Sequence, residues 1–212
     1  IGYWGDHQII YLLKFLEFTE KYFPYRLNSF LRKNNFVYAN VPYEIKDYES
    51  IYKDPKNTID FNFELAEKIE KDRLNKGADG AILKNYQGSI HEVNFIEKIL
   101  ATILAKLSNF IPGAGIWMNT QRPEWNDANN AIVGNGVSMV TLYYLRRFLN
   151  FFITILKNDD SSSFEISTEL YHFFEKLNIS FCKIDSNISN KDRKKFVDDI
   201  GAVAAEYRDR IY

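Results

Sequence analysis

Two stretches of this chain are apolar on nearly every helical face, and they decide what it can fold into. The first is Ile9-Ile10-Tyr11-Leu12-Leu13-Lys14-Phe15-Leu16-Glu17-Phe18, and the second runs from Val137 to Leu156, broken mainly by Arg146-Arg147. A helix with one apolar stripe rests on a core, whereas a helix apolar all round has to be covered from several sides. Elsewhere the pattern is one-sided. Ile96, Ile99, Leu100, Ile103, Leu104 and Leu107 fall at helical spacing, and so do Phe196, Ile200, Val203, Ala204, Tyr207 and Ile211. Fully apolar helices alternating with one-sided ones predict an all-α fold. Its form is a two-layer array of helical hairpins, with inner helices wrapped by outer ones.

Punctuation divides the rest. The first helix runs to about Tyr22 and ends near Pro24, and Pro24 to Lys33 continues as a short second helix. Asn34 to Asn62 reads as irregular, because Val41-Pro42, Asp54-Pro55 and scattered asparagines break any period. Phe63 to Asn75 is a helix, with Asn62 as its N-cap and Gly77 just past its end. Ala78 to Val93 is a small hairpin excursion, and strands are expected only in such excursions. Pro112 and Gly113 close the helix that ends at Leu107. Thr168 to Leu177 is a shorter helix. Arg146-Arg147 is expected to form internal salt bridges.

Composition excludes several classes. The 212 residues carry 27 basic and 28 acidic side chains, a net charge of -1, which offers no field to attract nucleic acid. Hydrophobic residues make up 46% of the chain, enough for a sizeable core. Cys182 is the only cysteine, so neither a disulfide framework nor a cysteine-based zinc site is available. His7, His91 and His172 are scattered, and no metal site is expected. No apolar run is read as long enough to span a bilayer. The cytoplasm is the favoured compartment, although Ile1 in place of an initiating methionine leaves the N-terminus uninformative.

Chemistry concentrates in one place. Ile116 to Asn130 packs Trp117, Trp125, Glu124, Asp127, Arg122 and several amide side chains between two helical segments. Trp4 completes the chain's three tryptophans and stands in Tyr3-Trp4-Gly5-Asp6-His7-Gln8, at the head of the first helix. Each tryptophan is near a carboxylate and a helix end. Sugar rings stack their C–H faces on such indoles while neighbouring polar groups read the hydroxyls. In an inner-helix array these two elements are expected to gather at one end and form a basin.

Glu124-Trp125-Asn126-Asp127 resembles the Asp-Trp-Asn-Asp element of the cellobiose phosphorylase family. Pro123-Glu124-Trp125 followed by Asn129-Asn130-Ala131 resembles the maltose and trehalose phosphorylases, where a Glu-Tyr pair precedes an Asn-Asn-Ala triplet. Tyr3-Trp4-Gly5-Asp6-His7 resembles the aromatic-Asp-Asp element that grips the sugar in the cellobiose group. The resemblance covers roughly Gly2 to Leu16 and Gly115 to Gly136. Glutamate stands at the acid position in place of aspartate, and Asp6-His7 in place of an acidic pair. It implies the (α/α)6 barrel of glycoside phosphorylases and inverting glycosidases, with residues 1–212 as one barrel-type domain of a larger protein. The partners it implies are an oligosaccharide and the remainder of a larger chain, or another subunit, covering the open helical faces.

The resemblance places Glu124 as general acid. Tyr3, Trp4, Asp6, His7, Trp117, Arg122 and Trp125 then shape and grip the sugar, and Asn126 and Asp127 hold the acid loop and its ligand by hydrogen bonds. An acid at this position needs a pKa raised toward neutrality, which burial against indoles supplies. An inverting hydrolase also needs a base about 6.5–9.5 Å away. A phosphorylase replaces base and water with inorganic phosphate as co-substrate, and no other cofactor is expected. The rival readings are a glycan-binding module without turnover and a structural helical scaffold.

Overall fold

The computed structural model describes residues 5–118, 134–159, 163–185 and 187–212, with side chains from Ile9 onward. Among them the chain is mostly helical, with three small antiparallel sheets. The helices are α1 (Gly5–Tyr22), α2 (Tyr48–Lys53), α3 (Phe63–Lys76), α4 (Phe95–Leu107), α5 (Met139–Lys157), α6 (Thr168–Phe181) and α7 (Asn190–Ile211). Their starts are set by side chains that take up otherwise unpaired backbone N–H groups. Asn62 Oδ1 accepts from Leu65 N at 3.0 Å, Asn94 Oδ1 from Glu97 N at 2.9 Å and Ser138 Oγ from Thr141 N at 3.1 Å. Gly77, at φ +63°, ends α3 in the left-handed region that glycine enters without steric cost.

Residues 34–62, expected to be irregular, hold a strand-and-helix framework. Strand β1 (Phe36–Val37) pairs with β4 (Glu92–Val93), and β2 (Tyr43–Ile45) pairs with β3 (Ile59–Phe61) around α2. A third sheet joins β5 (Phe110–Ile111), β6 (Gly115–Trp117) and β7 (Val137–Ser138) outside any excursion. Strands of two or three residues are too short to show a period of two, so no pattern announces them.

Side-chain pairs give the helix directions. Lys14 Nζ lies 5.7 Å from the Tyr144 ring, and Arg147 grips Glu17 in a two-pronged contact of 2.7 and 2.6 Å. Three residues on in α1 meet three residues on in α5, so the two helices run parallel. The Arg147–Glu17 pair meets the expectation of salt bridges at Arg146-Arg147 in part only, since Arg147 is 56% exposed and the pair lies at the surface. Helix α4 runs against both. Phe95 at its start stacks near Phe152 toward the end of α5, and its own end leads through β5 and β6 to β7, where α5 begins. Helix α6 is parallel to α4: Ser167 N donates to Glu97 Oε2 at 2.9 Å, and Phe181 stacks on Phe110 at 5.8 Å. Helix α7 returns antiparallel to α6, with Phe173 on Tyr207 at 4.5 Å and Phe181 on Phe196 at 5.3 Å.

The expected burial pattern is reversed at three helices. Helix α4, read as one-sided, lies between two cores. Phe95, Ile99 and Ile103 enter one with Leu13, Leu145 and Phe148, while Ala101 and Leu104 enter the other with Leu170, Leu177 and Ile200. Its charged side chains tolerate this because they are paired: Glu97 takes the Ser167 N–H, and Lys98 Nζ donates to Val37 O at 2.6 Å. Helices α1 and α5, read as buried all round, each leave an apolar face open. Tyr11, Phe15, Phe18 and Tyr22 are exposed on α1, and Val140, Tyr143 and Ile153 on α5. Contrary to the sequence reading, α5 has the length and mean hydropathy, 1.2, of a membrane-crossing helix. Its central Arg146-Arg147 pair carries a charge cost in hydrocarbon that a helix packed in protein avoids.

Candidate functional site

The loop that drew attention in the sequence springs from a built neck. Strand β6 ends at Trp117 and β7 begins at Val137, its register partner. Beyond the strands the ladder continues: Met118 N donates to Gly136 O at 2.9 Å, and Gly134 N to Met118 O at 2.8 Å. Trp117 Nε1 donates to Gly134 O at 3.0 Å, tying the indole across the same neck. Gly134 sits at φ +79°, and a Cβ there would lie 2.7 Å from Pro55 O, so only glycine fits between neck and α2 loop. This clamp closes the described chain on either side of residues 119–133, which lie outside the described residues.

Arg122, Glu124, Trp125, Asn126 and Asp127 lie outside the described residues, as do Tyr3 and Trp4. Asp6 and His7 belong to the first turn of α1, with side chains outside the described set. What is placed is the backbone of Asp6 and His7 and the neck that flanks residues 119–133. Lys14 and Tyr144 are level in the parallel pair, and Gly5 lies nine residues before Lys14, about 14 Å up the axis. Met139 lies five residues before Tyr144, about 8 Å up the same direction. The head of α1 and the neck of the loop therefore occupy one end of the helical layer.

Trp117 itself turns inward. Its ring forms part of the wall of a half-open cavity of about 350 Å³ between α2, α4, α7 and the β5–β6 turn. The walls are chiefly apolar, with Ala101, Phe110, Phe173, Val197 and Ala204 among them. Two of the tyrosines around it are engaged at their hydroxyls. Tyr48 Oη donates to Asp198 Oδ1 at 2.5 Å, and Tyr212 Oη accepts from Ile45 N at 3.1 Å. Burial pushes the Tyr207 phenol up to about 12.

Arg208 is the one cationic lining residue among the described residues. It donates from Nη2 to Lys46 O at 3.2 Å, while its buried Nε has no hydrogen-bond partner among the described residues. The sequence reading did not single it out, although a signal was there. Val197, Gly201, Ala204, Arg208 and Ile211 form one helical stripe, and a lone arginine in such a stripe marks a buried cation.

The remaining candidates have ordinary surroundings. His91 stacks on Tyr38 at 6.2 Å, and His172 Nδ1 is 3.8 Å from Glu175 on the surface. Among the described residues no group of three or more His, Cys, Asp or Glu converges on a point. No family profile and no curated protein matches this chain.

Proposed function

We propose that the chain is a carbohydrate-active domain of the (α/α)-toroid type, a glycoside phosphorylase or inverting glycoside hydrolase acting on oligosaccharides. One observation supports the reading: parallel α1 and α5 put the first turn of α1, which holds Asp6 and His7, at the same end as the Trp117–Val137 neck. The resemblance of the Tyr3–His7 and Glu124–Asp127 elements to sugar-gripping and acid motifs supports it further, and so does the arrangement of parallel α1 and α5 against antiparallel α4. In this reading the open apolar edge of α1 and α5 is where further inner helices of the barrel pack.

The chemistry follows from the residue types. Glu124 donates its proton to the glycosidic oxygen as the C1–O bond breaks. Water, losing its proton to a general base, or a phosphate oxygen in a phosphorylase, attacks C1 from the opposite face and inverts it. Trp4 and Trp125 stack on the rings, while Asp6, His7, Arg122, Asn126 and Asp127 bind hydroxyls. A glycan-binding module without turnover is the second reading. It keeps the same ring- and hydroxyl-binding residues without the acid step, and Trp117 adds to neither reading while its N–H is committed to Gly134 O and it lines the inner cavity.

The test is a panel of oligosaccharides presented to the chain and to any longer form, with and without inorganic phosphate. Turnover lost in Glu124→Gln with binding retained supports the enzyme. Binding without turnover in either form selects the module. Turnover undiminished in Glu124→Gln sinks the acid assignment.

A further inference from the structure

We propose that the cavity between α2, α4 and α7 is a second binding site, taking a small apolar carboxylic acid whose carboxylate pairs with Arg208. The proposal does not rest on the carbohydrate reading, since the cavity lies behind Trp117 and its walls are the wrong material for a sugar. A glycan needs many convergent polar groups. Here apolar and aromatic side chains supply most of the wall.

Size comes first. A cavity of about 350 Å³ falls within the range of sites that enclose small organic ligands, roughly 300–1,000 Å³. It is roofed by the close packing of α2 on α7, where the Tyr48 ring lies directly against Gly201. Ala101, Ala105 and Ala204 present short side chains on the facing walls, which is what leaves the space open.

Charge comes second. Arg208 reaches the cavity from α7 with a guanidinium that forms no ion pair among the described residues, and its buried Nε–H is unmet. Burial lowers its pKa from the ordinary value, yet an arginine stays protonated at neutral pH. A carboxylate seated beside this arginine gains a charge-assisted interaction with a cation that no carboxylate among the described residues already pairs. The anion is a monoanion by the same reasoning. One cation stands among the described lining residues, and the negative charges of Asp209 and Asp47 act on it from nearby. A phosphate dianion would find too few donors to replace its water.

The experiment is calorimetric titration of the folded chain with octanoate and 3-phenylpropionate, against octan-1-ol and 3-phenylpropan-1-ol. The carboxylates are expected to bind at least about tenfold tighter than the alcohols, the span of one hydrogen bond to a charged group. Arg208→Met is expected to abolish that preference and Arg208→Lys to keep part of it, while Ala105→Leu weakens both ligand types by filling the space. Should Arg208→Met fail to fold, the wild-type protein still decides. The arginine Nε–H resonance that Arg208→Lys deletes must shift on titration with octanoate. Equal affinity for acid and alcohol, no binding of either acid, or an unmoved resonance overturns the proposal. Loss of glycosidase activity in Glu124→Gln bears on none of these readouts.

Discussion

Burial of the Lys98 ammonium gives the protein a measurable pH dependence. Its Nζ lies 4.0 Å from the centre of the Tyr38 ring and donates to Val37 O, but burial is the larger effect and brings its pKa down to about 8. An unfolded lysine titrates near 10.4. Between these values the unfolded chain binds more protons than the native one, so stability rises as pH climbs from about 8 toward 10. Tyr207 has the opposite sign. Its native pKa is about 12 against about 10 unfolded, so its contribution is lost as pH rises from about 10 through 12. Thermal unfolding scans from pH 7 to 12 are expected to show this rise and fall. Lys98→Met removes the rise, and Tyr207→Phe softens the fall. Superimposable pH profiles for wild type and Lys98→Met would contradict the buried-cation assignment. Lys98 also shows where sequence reasoning stops at this scale. Period placed it on a helix, but its burial depends on Val37 and Tyr38, some sixty residues away, which no local pattern connects.

At the scale of elements, Gly201 is the joint between α2 and α7. A Cβ at that position would penetrate the Tyr48 ring. Replacing an interior helical glycine by alanine ordinarily gains up to about 1 kcal/mol of helix propensity. Forcing an extra carbon into a packed contact costs about 1–3 kcal/mol, and that term is expected to win. Gly201→Ala should therefore lower stability in denaturant titration. In a Tyr48→Ala background, where the ring is gone, the same change should be neutral or stabilising. Destabilisation of equal size in both backgrounds would show that the ring is not what the new carbon meets. The helices on either side of this joint were legible because their caps and periods are local. Asn62 and Gly77 bracket α3 as read. Helix α2 was not legible. It has six residues, stands between Asp47 and Asp54, and is held by Tyr48 and Ile51 against a partner from the far end of the chain. The cavity was hidden for the same reason, since its walls come from segments spread between Ile45 and Tyr212.

Over the whole molecule, the apolarity of α1 and α5 was read correctly and its covering was not. Periodicity reports that a face avoids water and says nothing about what lies across it. Among the described residues, α4 and the packing of α1 on α5 cover one side of each helix, leaving Phe15 65% and Tyr143 63% exposed. With Tyr11, Phe18 and Tyr22 along one helix and Val140 and Ile153 along the other, the open face is a concentrated apolar surface rather than scattered residues. A surface of this kind in water associates, with itself where no other cover is present. The chain is expected to sediment as concentration-dependent oligomers, and Phe15→Ser with Tyr143→Ser to shift it toward monomer. Because both side chains are mostly in solvent already, the double substitution should change unfolding free energy by no more than about 1 kcal/mol. That separates loss of association from loss of folding. Oligomers that persist unchanged in the folded double variant would place the contact elsewhere and remove the case for further helices packing on α1 and α5. Monomers with intact folding would locate the edge where the helical layer continues, on the same two helices whose leading ends carry the proposed sugar site.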